Sequence, residues 1–117
     1  MDRRMFVAST SSAVLGASLP WLTRPRRLTA LGLTAAPRPA ELAPGKPCTA
    51  LAYNELILGP VIDVREGDRL RVRLHNRLDE DTTVHWHGMH LPFDADGSPY
   101  HPVAPGASYD YEFEIPS

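Results

Sequence analysis

Two stretches of the chain alternate strictly between apolar and polar positions. In residues 69–76, Leu70, Val72 and Leu74 alternate with Arg69, Arg71, Arg73 and His75. In residues 108–115, Tyr109, Tyr111, Phe113 and Ile115 alternate with Asp110, Glu112 and Glu114. Successive side chains on a strand point to opposite faces, so this period predicts two half-buried strands, apolar side inward. Shorter runs at 50–54, 61–64 and 82–87 predict three more. Turn residues separate them: Gly59-Pro60, Glu66-Gly67-Asp68, the acidic connection Asp79-Glu80-Asp81, a proline-rich loop over 90–105, and Pro105-Gly106. After residue 40 no helical period of useful length occurs. Short strands with Pro/Gly turns predict an all-β, Greek-key sandwich or barrel.

The stretch Thr83-Val84-His85-Trp86-His87-Gly88 concentrates the candidate chemistry. On a strand, His85 and His87 share a face, roughly 7 Å apart along the chain. Val84 and Trp86 face the opposite way, toward a core. Two imidazoles on one side of a segment pinned by a bulky aromatic predict a metal-binding edge. Taken alone, a His-x-His pair is more often chance or two surface histidines on a half-buried strand. His75 falls on the arginine face, and His90 and His101 lie in a loop; all three read as surface histidines. Cys48 is the only cysteine, so no internal disulfide can form, and its loop-like setting beside Pro47 reads as an incidental thiol.

Charge divides the chain. Residues 1–40 sum to +5 and residues 41–117 to −7, giving the net −2. The acidic body argues against nucleic-acid binding, which wants a basic face. Residues 1–40 read as lying outside the fold. Arg3-Arg4 precedes Phe6 and a modest apolar run that ends near Leu22, diluted by serines and interrupted by Pro20. That run is short for a stable membrane span. A charged start before such a run reads as an export signal, with the arginine pair resembling the twin-arginine type; an N-terminal anchor or a disordered tail is the plainer alternative. Removal is expected between Ala17 and Ala40. Residues 35–47, with Pro37, Pro39, Pro44 and Pro47, read as a linker or extended lead-in. The expected organisation is a signal and linker over 1–40 and one domain over 41–117.

From about Tyr53 onward the ordered set of motifs resembles the first cupredoxin domain of a multicopper oxidase. Gly59-Pro60-Val61-Ile62 and Val64-Arg65-Glu66-Gly67-Asp68 resemble the family's early strands. Val72-x-Leu74-x-Asn76-x-Leu78 resembles the strand leading to the copper edge, and residues 83–88 resemble the first copper-binding motif. Asp96-Gly97-x-Pro99, Pro105-Gly106 and Tyr111-x-Phe113 follow at familiar spacing. Leu58 stands where the family more often has proline.

The resemblance implies a cupredoxin-like Greek-key β-sandwich and copper as cofactor. His85 would ligate a type 2 copper and His87 a type 3 copper, at positions shared with further domains. Asp96 matches an acid that some members use to deliver protons near the cluster; read bare, it is an Asp-Gly turn. The family couples one-electron oxidation of a reducing substrate (a phenol, an aromatic amine or cuprous ion) to reduction of dioxygen to water. The chain carries neither the second His-x-His nor the His-Cys-His segment of the type 1 site. It is therefore expected to be the N-terminal portion of such an exported, laccase-like oxidase, incomplete at its C-terminal side and inactive alone, with the strand over 109–115 left as an unpaired edge open to association. Dioxygen and the reducing substrate would be partners only of a full-length enzyme, leaving copper ions for this portion. The alternative is an exported, non-enzymatic module that binds or sequesters copper through His85 and His87. A scaffold relative that has lost copper is disfavoured by the intact ligand pair.

Overall fold

A computed structural model describes residues 25–117 except Leu56. Four strands form one mixed sheet: β1 (Leu28–Ala43), β2 (Lys46–Tyr53), β3 (Arg69–Asn76) and β4 (Ser108–Glu114), in the spatial order β2-β1-β3-β4. No helix occurs among the described residues. β3 and β4 carry the two strictly alternating stretches and pair antiparallel, with Leu70 opposite Phe113, Val72 opposite Tyr111 and Leu74 opposite Tyr109. Each such apolar cross-strand pair contributes about 0.2–1 kcal/mol. The other face sets arginine against acid: Arg73 grips Asp110 with two hydrogen bonds of 2.7 and 2.6 Å, and Arg71 meets Glu112 at 2.8 Å. These pairs are exposed and add little energy. They do oppose a one-residue slip, which would carry every arginine into the core.

Residues 28–40 are not a linker. They belong to the long strand β1, and a boundary after residue 40 falls inside it. The first half of β1 runs parallel to β3, from Leu28 opposite Arg69 to Ala35 opposite Asn76. The second half pairs antiparallel with β2, from Ala35 opposite Tyr53 onward. Leu33 and Ala35 are each 4 % exposed and belong to the core.

The prolines are tolerated because of where they fall. Within a strand the N–H and C=O of successive residues point to alternate sides. The Thr34 carbonyl accepts the Asn54 N–H on the β2 side, and the Ala35 carbonyl accepts the Arg77 N–H on the β3 side. Odd-numbered residues of β1 thus face β3, whose ladder ends opposite Ala35. Pro37 and Pro39 turn their absent N–H toward that vacated edge. Pro47 lies opposite Glu41 and likewise faces away from its neighbour. None of the three removes a ladder hydrogen bond, and all three blunt an exposed edge.

Two other expected strands are not paired. Residues 61–64 join no ladder, although Ile62 and Val64 still pack on the core. Residues 82–87 form only an isolated bridge, Thr82 to Val103. This segment and its neighbours lay Leu78, Val84, Trp86, Ala95 and Val103 over the inner face of the sheet, where they meet Leu33, Leu70, Val72, Leu74, Tyr111 and Phe113. Buried Asn76 fastens that layer: its amide donates to the Glu80 and Val103 carbonyls, and its side-chain oxygen accepts the Leu78 N–H. At the other end of the sheet the Asp68 carboxylate accepts the Arg27 and Arg65 N–H groups, its backbone carbonyl accepts the Ile115 N–H, and the Gly67 N–H donates to the Ile115 carbonyl. The Arg27 N–H holds the Asp68 carboxyl below the usual carboxylate range, against an opposing effect of burial, with the Arg65 N–H and both nearby arginine charges adding to the shift.

Candidate metal centre

The alternation expected of residues 83–88 survives without the ladder. Val84 and Trp86 are buried, while His85 and His87 are exposed. The two imidazoles lie side by side, with ring centroids 5.8 Å apart and planes tilted by 47°. Behind them the Trp86 indole packs edge-on against Tyr111 and Phe113, at 6.1 and 5.1 Å between centroids. The Val84 N–H, which a strand would have paired, donates instead to the Tyr111 phenol oxygen at 2.9 Å. Thr83 Oγ1 lies 3.0 Å from that same oxygen.

Asp96 comes to the pair from a loop. Its backbone carbonyl lies 2.9 Å from His85 Nδ1, and its carboxylate Oδ1 lies 3.4 Å from the same nitrogen. A carbonyl oxygen only accepts, so Nδ1 carries the proton. In the neutral ring the lone pair is then on Nε2, free for a metal. Asp96 Oδ1 is buried and has no hydrogen-bond partner. The close approach of this loop depends on Gly97. A Cβ there would sit 2.0 Å from the Val84 carbonyl oxygen and 2.9 Å from the His85 nitrogen, and the glycine holds φ +75°. Side-chain-free backbone is the only kind that fits at this point.

The structure therefore brings His85, His87 and Asp96 together. It leaves the other candidates apart. His75 Nδ1 pairs with Ser108 Oγ at 3.0 Å on the arginine face. His101 packs edge-on against Phe93, His90 is exposed, and Cys48 is an exposed free thiol. Among the described residues no group of three or more His, Cys, Asp or Glu side chains converges as a metal site. Sequence reasoning missed the supporting residues. Gly97 was visible as half of an Asp-Gly turn, but its contact with Val84 was not. Tyr111 was visible as an inward residue and as part of the Tyr111-x-Phe113 motif, but nothing marked its hydroxyl as a partner of residues 83 and 84.

A family model described as multicopper oxidase matches residues 35–117. The chain belongs to the multicopper oxidase family. It is 37 % identical over 75 residues to a multicopper oxidase of Staphylococcus aureus, covering 64 % of this chain and 17 % of that protein. It is 36 % identical over 96 residues to a multicopper oxidase of Mycobacterium tuberculosis, covering 80 % and 19 %. A copper resistance protein A homolog of Pseudomonas syringae is 43 % identical over 74 residues, 61 % of this chain and 13 % of the relative. Among solved structures, a multi-copper oxidase from Pseudomonas thermotolerans superposes with a TM-score of 0.73 at 44 % identity, over 77 % of this chain and 23 % of that one. One from Campylobacter jejuni, described as a metallo-oxidase, gives 0.70 at 41 %, over 77 % and 19 %. The chain thus spans less than a quarter of the length of these relatives. Its all-β, cupredoxin-like fold and its membership imply copper as the family's cofactor. The residues present suit that metal: two neighbouring imidazoles, one with its tautomer set by a carbonyl, are borderline nitrogen donors of the kind copper takes.

Proposed function

We propose that this chain is the N-terminal portion of an exported multicopper oxidase, and that His85 and His87 are its copper ligands. The observation that carries the reading is the pair itself, two exposed rings 5.8 Å apart on one side of a segment whose other side is locked into the core. His85 would bind through Nε2, at the type 2 position, and His87 would serve a neighbouring type 3 position. Copper, when bound, supplies one-electron redox chemistry. The protein's own part is to hold His85 in one tautomer through the Asp96 carbonyl, and to keep a carboxylate beside it. Asp96, whose buried and unpartnered Oδ1 lies 3.4 Å from His85 Nδ1, would be the acid that relays protons near the cluster. In the full enzyme the reaction would be one-electron oxidation of a reducing substrate coupled to reduction of dioxygen to water. Two imidazoles with no third side-chain donor among the described residues fit a site completed by other domains better than a self-sufficient copper store.

Export is part of the proposal. The arginine pair lies outside the described residues, but the fold limits where a signal can end. Arg26 pairs with Glu114 at 2.6 Å and the Arg27 N–H bonds Asp68, so cleavage after these residues would strip contacts from the end of the sheet where β3 begins and β4 finishes. A signal would end before Arg26. No helix among the described residues is long and apolar enough to cross a membrane. The outer edge of β4, unpaired among the described residues, would take a further strand.

The test is a Cu(II) titration of the full chain, followed by electron paramagnetic resonance, beside His85→Ala, His87→Ala and the double variant. The expected result is weak binding with a two-nitrogen signature, reduced in each single variant and abolished in the double. Unchanged binding in the double variant would refute the ligand assignment. A tight, stoichiometric site in the folded monomer would favour a copper-sequestering module.

A further inference from the structure

We infer that Tyr111 is a positioning residue for the His85–His87 pair: its buried phenol oxygen, carried on β4, fixes the backbone from which both imidazoles project. The inference rests on the reading that the pair binds metal, and adds to it the group that sets the pair's geometry.

The β4 pattern alone asks only for an apolar residue at position 111. Phenylalanine, as at 113, would fill the inward site. A tyrosine there brings a hydroxyl into the core, where an unpaired polar group is costly. Tyr111 is 1 % exposed, and its hydroxyl is used at once: it accepts the Val84 N–H at 2.9 Å and lies 3.0 Å from Thr83 Oγ1. Both partners belong to the ligand segment, and Val84 immediately precedes His85.

Among the described residues that segment joins no ladder of the sheet. Its one bridge, Thr82 to Val103, lies outside the four strands. The ring of Tyr111 supplies a second hold, because Trp86, between the two histidines, packs edge-on against it. One side chain thus grips the amide before His85 and the indole after it. Tyr111 in turn stands on a rigid base, opposite Val72 in the β3–β4 ladder and edge-on to Tyr109 at 4.8 Å. Metal sites require their ligands to be held within about 0.5 Å and 10–20° of productive geometry. A Phe at 111 would keep the packing but leave the Val84 N–H buried without an acceptor, and the segment would move to find one.

The probe is Cu(II)–iminodiacetate, whose chelator leaves coordination positions that two converging imidazoles can fill together. Its affinity is measured for the full chain, for Tyr111→Phe, for His87→Ala as the one-imidazole baseline, and for Leu33→Ala as a core truncation on β1, which β3 separates from the strand carrying Tyr111. Wild type is expected to bind well above the His87→Ala baseline. Tyr111→Phe, folded by circular dichroism, is expected to bind about tenfold more weakly, and Leu33→Ala within about twofold of wild type if folded. The inference is overturned if folded Tyr111→Phe binds within twofold of wild type, or if Leu33→Ala weakens binding as much. Should Tyr111→Phe not fold, hydrogen exchange on the wild-type chain decides: the Val84 amide is expected to be strongly protected, and fast exchange there overturns the inference. Wild type binding no better than His87→Ala would mean that the two rings are not held to share one ion and would overturn the inference, whereas the assignment of the rings to copper stands or falls by the double variant in the titration above.

Discussion

Gly97 offers the sharpest test of how the centre is built. Replacing it with alanine puts a Cβ 2.0 Å from the Val84 carbonyl oxygen, where real Cβ atoms essentially never come within 3.0 Å. About 1 Å must therefore open between the Asp96 loop and the ligand segment, and the atoms in the way are backbone. The φ of +75° adds about 1–2 kcal/mol for any L side chain. Overfilling a packed contact typically costs about 1–3 kcal/mol more. Gly97→Ala should thus destabilise the chain by about 2–5 kcal/mol, a fall in Tm of at least about 10 °C for a domain of this size. Gly67→Ala is the internal control. Gly67 holds φ +79°, but a Cβ added there would meet nothing within 4 Å, so only the backbone cost applies. Thermal unfolding gives the two losses, and 15N-detected NMR of the His85 ring reports whether Nδ1 keeps its proton and its acceptor. The expected pattern is a larger loss for Gly97→Ala than for Gly67→Ala, with a shifted Nδ1 resonance only in the former. Equal losses, or an unchanged His85 ring signal in Gly97→Ala, would refute the close-approach argument.

Two further outcomes follow from the fold. Asp68 has its carboxyl lowered by the Arg27 N–H, so its stabilising effect is full above the ordinary carboxylate pKa and fades as pH falls through the lower folded value; in Tm-against-pH curves Asp68→Asn should therefore lose most relative to wild type near neutrality and least near pH ~3, and a constant gap would sink the assignment. Pro37 and Pro39 leave the outer edge of β1 without donors at those positions, so the double change to serine should restore two N–H groups there and raise self-association in sedimentation velocity; an unchanged monomer fraction would count against the blunted-edge account.

What the sequence disclosed and what it hid divide along one physical line. β3 and β4 were legible because each residue's environment is set by its own parity: Leu70, Val72 and Leu74 inward, Arg69, Arg71 and Arg73 outward. β1 was hidden because proline reads as a strand breaker until the direction of the lost N–H is known. That direction depends on where β3 stops, a tertiary fact absent from the local pattern. The candidate centre shows the same division. The shared side of His85 and His87 follows from alternation alone, and it persists although residues 82–87 never join a ladder. The expectation of a paired strand failed because the Val84 N–H is satisfied by a phenol 27 residues away and the other side of the segment is occupied by the Gly97 backbone. Such ties leave no periodic trace.

The replacement of a ladder by side-chain ties has a functional consequence. A strand paired on both edges would bury its backbone between neighbours and present its histidines as one row among several. Here the segment lies over the sheet as part of a second layer, fastened from below by Tyr111 and Trp86 and from the side by Asp96 and Gly97. Its exposed side is left to the two imidazoles. Under the proposed assignment, that arrangement would let ligands from another domain approach the same metal ions without competing with a neighbouring strand for the space. It also places the burden of geometry on a few contacts of high sequence separation, so the centre should be more sensitive to single substitutions at 97 and 111 than to truncations elsewhere in the core.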